Sequence, residues 1–451
     1  MDSTIRTAAI TTILFAVLGS EQPAGAQGAT FSHYRVIDLG TLGGTFSAGN
    51  TINNLGWVMG GSNEAGDVVQ LAALWLPGKQ IPLGTLGGPS SDVLWPVKND
   101  FGLISGVSEN GKHDPLGETF SCPVFNLTSG NSCVAFAWRN NKMTQLPGLG
   151  GNNSIGGGVN NRGQIVGWAE TSVHDSTCAG TSSPPFVQFL QFEAVIWDMD
   201  DGHWRVHQLA PFPGDLDGAA VAINDSGQVV GISGVCSIAI GGYSAIHALL
   251  WENGTPIDMG NLGGHGWNTP GAINRHGEAA GFANQPNDAS GGVLAFLPEA
   301  FTWTRERGMV DIGRLSGDAI SEATDINDAG QVVGTSYAHT DFSGSRAFVY
   351  QNGMMSALND LLTAEDQTSF FVSSTGGIND AGEIAATANL VVNGVVTVAA
   401  HAVLLVPTGE SDGGNGASAS AIIPSEVNAQ MRERAALRHF GGAGRDSATT
   451  R

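Results

Sequence analysis

Seven copies of one short pattern run through this chain, and nothing else in the sequence restricts its fold so tightly. The clearest copy reads Asp325-Ile326-Asn327-Asp328-Ala329-Gly330-Gln331-Val332-Val333-Gly334, followed by Arg346-Ala347-Phe348-Val349-Tyr350. Its asparagine recurs at Asn53, Asn99, Asn160, Asn224, Asn274, Asn327 and Asn379, each with Gly three residues later. A unit of roughly fifty residues repeated this often specifies a solenoid, propeller or array rather than a conventional enzyme domain.

Each unit divides into four apolar-rich runs separated by turn residues, which predicts four strands. In the fourth unit these are Ala219–Asn224, Gln228–Ser233, His247–Trp251 and Thr255–Met259. The Asn-x-x-Gly segment between the first two suits a tight hairpin, because Asn bonds its own backbone and Gly accepts a positive φ. The third run carries a small residue (Ala73, Ala135, Ala194, Ala248, Ala300, Ala347, Ala402) and a bulky one three positions on. In the first unit the aromatic, Trp75, stands one place early. Gly40-Thr41-Leu42-Gly43-Gly44 and its copies bridge the units; no Gly-Lys-Ser/Thr follows, so they are turns and not phosphate loops. The Gly-x-Ser copies ending at Ser108, Ser233 and Ser336 recur too often for a nucleophile elbow and are expected to be structural.

A four-stranded repeating sheet points to an all-β fold, a β-propeller. A fourth-strand sequence, Val36-Ile37-Asp38-Leu39, precedes the first full unit, and the seventh unit ends after its third strand. The expected architecture is therefore a seven-bladed propeller over 34–407, with Tyr34–Gly40 completing the last blade and removing its open edge.

Composition narrows the partners. A formal net charge of -22 repels a nucleic-acid backbone, so a cation, a sugar or a protein is the expected ligand. Residues 1–26 read as a signal peptide: Arg6, an apolar run Ala8–Leu18 too short to span a bilayer, then Ala24-Gly25-Ala26. A short linker, 27–33, is expected next, and no later segment reaches spanning length. Four cysteines agree with an oxidising compartment, extracellular or periplasmic, and the favoured pairing is Cys122 with Cys133 and Cys178 with Cys236. After Pro407 the sequence predicts a Gly/Ser/Ala-rich linker over 408–424, a helix over 425–440 and a tail over 441–451; a frayed end is favoured for that helix over docking.

The triplets His247-Ala248-Leu249, His401-Ala402-Val403 and Arg346-Ala347-Phe348, with Asp38-Leu39-Gly40-Thr41-Leu42-Gly43-Gly44, resemble the bacterial HAF-repeat extracellular proteins. The resemblance covers about 34–407. It implies a secreted repeat protein and carries over no catalytic activity. Many relatives end in a cell-surface sorting segment, a pattern from which this sequence departs.

Length variation is concentrated in the loops between second and third strands, which in a propeller share one face. Just after the glycine of the second strand stand Asn63, Glu109, Glu170, Asn284 and Tyr337; nearby lie His113-Asp114, His174-Asp175 and His339. Asn63, Glu109, His113, Glu170, His174, Asn284, Tyr337 and His339 are the expected ligand face. A divalent cation at His113, Asp114, His174 and Asp175 is a weaker expectation. The expected function is non-catalytic binding of a protein or carbohydrate by a monomer. The alternative is a carbohydrate-active hydrolase or lyase using Glu109 and Glu170, and a merely solvated rim explains the same residues without any ligand.

Overall fold

A computed structural model describes residues 31–118, 122, 129–178, 188–236, 245–286, 297–412 and 421–438. The segment 1–26 read as a signal peptide, most of the Cys122–Cys133 loop and the tail 441–451 lie outside these. The described chain is all-β apart from short 3-10 turns and one C-terminal helix. The first six units each form four antiparallel strands, and the seventh forms three. The first comprises Gly43–Ile52, Val58–Glu64, Gln70–Leu76 and Lys79–Gly84. Five units are separate four-stranded sheets; the first and seventh share a larger sheet through one parallel bridge, Phe46 to Ala400.

The seventh unit contributes Phe370–Ile378, Ile384–Val392 and Val395–Asp412, and its fourth strand comes from the other end of the chain. Phe31–Asp38 pairs antiparallel with that third strand, Tyr34 opposite Pro407 and Asp38 opposite Val403. Leu39 N–H donates to Ala402 O at 3.0 Å, and the His401 ring meets the Asp38 carboxylate at 2.9 Å. Two sequence boundaries move as a result. Phe31–His33, placed in a linker by the sequence, belong to this strand, and Thr408–Asp412, placed in the second linker, extend its partner.

The repeated asparagine does more than turn the chain. Asn327 Oδ1 accepts the N–H groups of Ala329 and Gln331 at 3.1 and 2.9 Å, closing the turn that Gly330 completes at φ 74°. Its Nδ2 donates to the backbone oxygen of Asn379, the equivalent residue of the next unit, at 3.0 Å. The same donation runs from Asn53 to Asn99, then to Asn160, Asn224, Asn274 and Asn327. Asn379 returns it to Asn53 at 3.2 Å, so seven side chains form a closed cycle. All seven are buried, where an unmade hydrogen bond is expensive.

Serines fasten the opposite ends of the sheets. Ser108, Ser233 and Ser336 accept the bridge N–H groups of Leu86, Phe212 and Leu315, which is why Gly-x-Ser repeats. Ser91, Ser154, Ser321 and Ser47 accept the N–H of Ala72, Ala135, Ala300 and Ala402 on the preceding unit's third strand. This register makes Ala72, and not Ala73, the first unit's small residue. The spacing to Trp75 then matches the other units. Between sheets the third-strand aromatics fill the core: Trp197 and Trp251 are fully buried, and their indole N–H groups reach Pro147 O and Ala210 O at 2.8 and 2.7 Å.

In the first six units a glycine of the second strand lies against the first strand's backbone, and in the seventh Ala386 takes its place. A Cβ on Gly106, Gly231 or Gly334 would sit 2.1 Å from the carbonyl oxygen of Asp92, Ala219 or Glu322, so no larger residue fits.

The cysteines are joined as Cys122–Cys133 and Cys178–Cys236. The second bridge links loops of the third and fourth units. No helix among the described residues is long and apolar enough to cross a membrane.

The C-terminal helix, Ser425–Arg438, is docked and not frayed. Val427, Met431 and Ala435, spaced at one turn, are buried on one face. Val427 and Met431 pack on Val391 and Val396 of the seventh unit, and Ala435 joins Tyr337, Phe342 and Trp267. Asn428 Oδ1 accepts Gly344 N–H at 3.2 Å, and Ile422 exchanges hydrogen bonds with Gly394 and Val396 just before the helix.

Candidate functional site

Four of the eight residues expected to face a ligand are packed against the bridges between units. A Cβ added to Gly44, Gly88, Gly151 or Gly264 would lie 2.7, 2.4, 2.3 or 2.6 Å from the Cβ of Asn63, Glu109, Glu170 or Asn284. The second glycine of each bridge is thus the seat of the residue after the strand-two glycine. All four side chains are buried and hydrogen-bonded locally. Glu109 Oε2 accepts Ser90 N–H at 3.0 Å while Oε1 takes the Ser129 hydroxyl. Glu170 Oε2 accepts Asn152 and Asn153 N–H, both at 2.9 Å, and Oε1 accepts Asn153 Nδ2 at 3.0 Å. Asn63 Nδ2 donates to Asp67 at 3.1 Å, and Asn284 Oδ1 accepts Leu297 N–H at 3.0 Å. The two glutamates serve different bridges and share no partner among the described residues.

The histidines behave differently from their neighbours. His113, His174 and His339 are exposed, whereas Asp114 and Asp175 are buried and cap turns. Asp114 Oδ1 accepts Leu116 and Glu118 N–H, and Asp175 Oδ1 accepts Thr177 N–H at 2.7 Å. Among the described residues, Asp175 is the one expected metal residue grouped with two further donors at ligand distance, Cys178 and Cys236. Those sulfurs form a disulfide and are not thiolates, so the trio lacks the anionic donors a metal needs.

Buried acid is nonetheless the electrostatic signature of this side of the molecule. Burial, then the nearby charge of Glu118, pushes the Glu170 carboxyl up to about 8. Glu118 is itself raised by burial, and its Oε1 accepts Phe189 and Leu190 N–H at 2.6 and 2.9 Å. Burial pushes Glu193 up to about 7 and holds Asp217 well above the carboxylate range, the latter helped by its hydrogen bond to Asp175. An acid raised on folding stabilises the folded chain below its unfolded pKa, and that stability is lost as pH rises through the folded value. For Glu170 the window runs from the usual 4.5 to about 8. Glu170 alone should lower wild-type stability by about 5 kcal/mol across it. In Glu170→Gln the fall should be much shallower, measured by urea denaturation at pH 5 and 8.5; equal slopes would refute the assignment.

Only Asn63 and Tyr337 of the expected face line a cavity of about 470 Å³ between the first, second, sixth and seventh units and the C-terminal helix. Tyr337 donates its hydroxyl to Glu322 at 3.2 Å. The helix supplies Gln430, Glu433 and Arg434 to this cavity. Arg434 lies over the Phe46 ring at 4.2 Å and donates to Val398 O at 3.3 Å. Against the desolvation of burial, hydrogen bonds from Thr45 and Asn63, and last the charge of Arg434, hold Asp67 below the usual carboxylate range. Arg432 pairs with Asp341 at 3.3 Å on the exposed side. Sequence reasoning weighs docking of this basic helix, through Arg432 and Arg434, but favours a frayed end. The signal was present in the Val427, Met431, Ala435 spacing and the cluster of arginines on an acidic protein.

A family of unknown function, DUF3466, matches residues 214–430. No curated protein matches. Among solved structures, the acylaminoacyl peptidase of Pyrococcus horikoshii is similar with a TM-score of 0.45 at 11% identity, over 85% of this chain and 52% of the peptidase. This chain therefore spans about half that enzyme's length. A PL25 ulvan lyase gives a TM-score of 0.38 at 12% identity, over 80% of this chain and 95% of the lyase. The sialidase of Trypanosoma rangeli gives 0.37 at 8%, over 83% and 58%. At such scores these likenesses carry no argument about chemistry.

Proposed function

We propose that this chain is an exported seven-bladed β-propeller of the HAF-repeat kind, closed by its N-terminal strand, that binds a ligand without transforming it. The cyclic donation Asn379 to Asn53 and the pairing of Phe31–Asp38 with the seventh unit support the closed ring. Two disulfides support an oxidising destination. The observation that carries the non-catalytic reading is the state of the two acids nominated for hydrolysis. Glu109 and Glu170 are 0% and 1% exposed, and both spend their oxygens on backbone amides and neighbouring side chains. A general acid or nucleophile must reach the substrate instead.

The test is product release from a panel of polysaccharides, read as new reducing ends and as unsaturated sugars, alongside the melting temperature of the full chain with each oligosaccharide. The expected result is a raised melting temperature with at least one of them and no release. Release that disappears in Glu109→Gln and Glu170→Gln, at unchanged melting temperature, would restore the hydrolase or lyase.

A further inference from the structure

The cavity under the C-terminal helix contains polar atoms that the fold itself does not satisfy. Thr387, on the seventh unit's second strand, is 4% exposed, and its Oγ1 has no hydrogen-bond partner. Gln430 faces the same cavity from the helix, and its Oε1 is likewise buried and unpartnered. Other polar groups there are already spoken for: Asn50 Nδ2 donates to Val93 O at 2.8 Å, and Gln70 Nε2 donates to Asp92 at 2.6 Å. A buried oxygen left without a donor is disfavoured, so two in one cavity mark where hydrogen-bonding groups are expected from outside the chain.

We propose that this cavity is a binding site for an uncharged polyhydroxylated molecule of mono- or disaccharide size, with the C-terminal helix as its roof. The proposal rests on the binding-module reading and names its ligand class. Three properties select that class. The volume of about 470 Å³ falls in the range of small-molecule sites, roughly 300–1,000 Å³. Gln430 Oε1 can only accept, and Thr387 Oγ1 can accept or donate, which matches hydroxyl groups. Phe46 and Tyr337 contribute aromatic rings to the lining, the kind of surface on which the C–H face of a sugar packs. Charge excludes the acidic alternatives: Asp67, Asp92 and Glu433 outnumber Arg434, whose guanidinium is already engaged by Phe46 and Val398 O. Uronic acids, sulfated sugars and phosphates would be repelled.

The experiment uses the full chain and a panel of neutral mono- and disaccharides with their uronic acid counterparts, titrated by calorimetry. At least one neutral sugar should bind with Kd below about 1 mM, and its uronic acid at least about tenfold more weakly. Thr387→Val and Gln430→Leu should each weaken binding by about tenfold while leaving the melting temperature unchanged or higher, since each removes an unpaired polar atom. Binding that both variants retain, or a preference for the acid, would overturn the proposal. So would a panel in which no neutral sugar binds, which would leave structured water as the cavity's only occupant. That failure is separable from failure of the binding-module reading, which only the Glu109- and Glu170-dependent release of product described above would bring down.

Discussion

Lys98→Met is expected to destabilise the chain by about 3 kcal/mol at pH 8, with a smaller loss at pH 5. Lys98 leaves the second unit beside Asn99 and places its Nζ on Asp325 of the sixth and on Ile378 O of the seventh at 2.8 Å. Asp325 is buried, and it also accepts Ile378 and Ile326 N–H at 2.8 and 2.9 Å. Burial raises its carboxyl and Lys98 opposes the rise. Without the ammonium that opposition is gone, so the carboxyl moves further up. A raised acid is tolerated at low pH, where it is protonated, and penalised as pH rises through its folded pKa. The loss should therefore grow with pH. Lys98→Met combined with Asp325→Asn should recover part of it, because the stranded charge is removed. Urea denaturation of the four proteins at both pH values decides the matter. A single-variant loss under about 1 kcal/mol at pH 8 would show that the pair ties nothing together.

Asn327→Ala should cost about 3 kcal/mol, far more than a surface asparagine. The side chain makes four hydrogen bonds while 3% exposed: two accepted from Ala329 and Gln331, and two donated, to Gln331 Oε1 at 2.8 Å and to Asn379 O at 3.0 Å. Alanine strands all four partners. Asn327→Asp separates the roles, since it keeps the acceptor that shapes the turn and loses the donor that reaches the next unit. If the cycle matters as well as the turn, aspartate should be nearly as damaging as alanine at pH 7. If aspartate is neutral, the link to Asn379 contributes nothing.

The contrast between these two functions of one residue marks the limit of what the sequence expressed. Turn chemistry is local, so Asn-x-x-Gly and its positive-φ glycine were readable from spacing alone. The donation to a neighbouring unit leaves no local trace, because any carbonyl can accept it. The same limit governs the expected ligand face. Glu109 and Glu170 stand in register with Asn63 and Asn284, and spacing cannot say whether a polar residue at that register meets solvent or a bridge amide. The glycine pairs did hold the answer: Gly88 and Gly151 are small because Glu109 and Glu170 sit on them. In the tail, a three-residue apolar stripe within a basic, polar segment gave too weak a periodicity to announce docking. The four-strand unit and the displaced N-terminal strand were legible because each depends on pattern repeated along the chain.

Amide hydrogen exchange over Phe31–Asp38 tests the closed ring most directly. The account predicts that Tyr34 to Asp38, paired with Pro407 to Val403, exchange as slowly as the most protected strands of the middle units. Exchange of that segment at the rate of an unstructured peptide, with the middle units still protected, would contradict it.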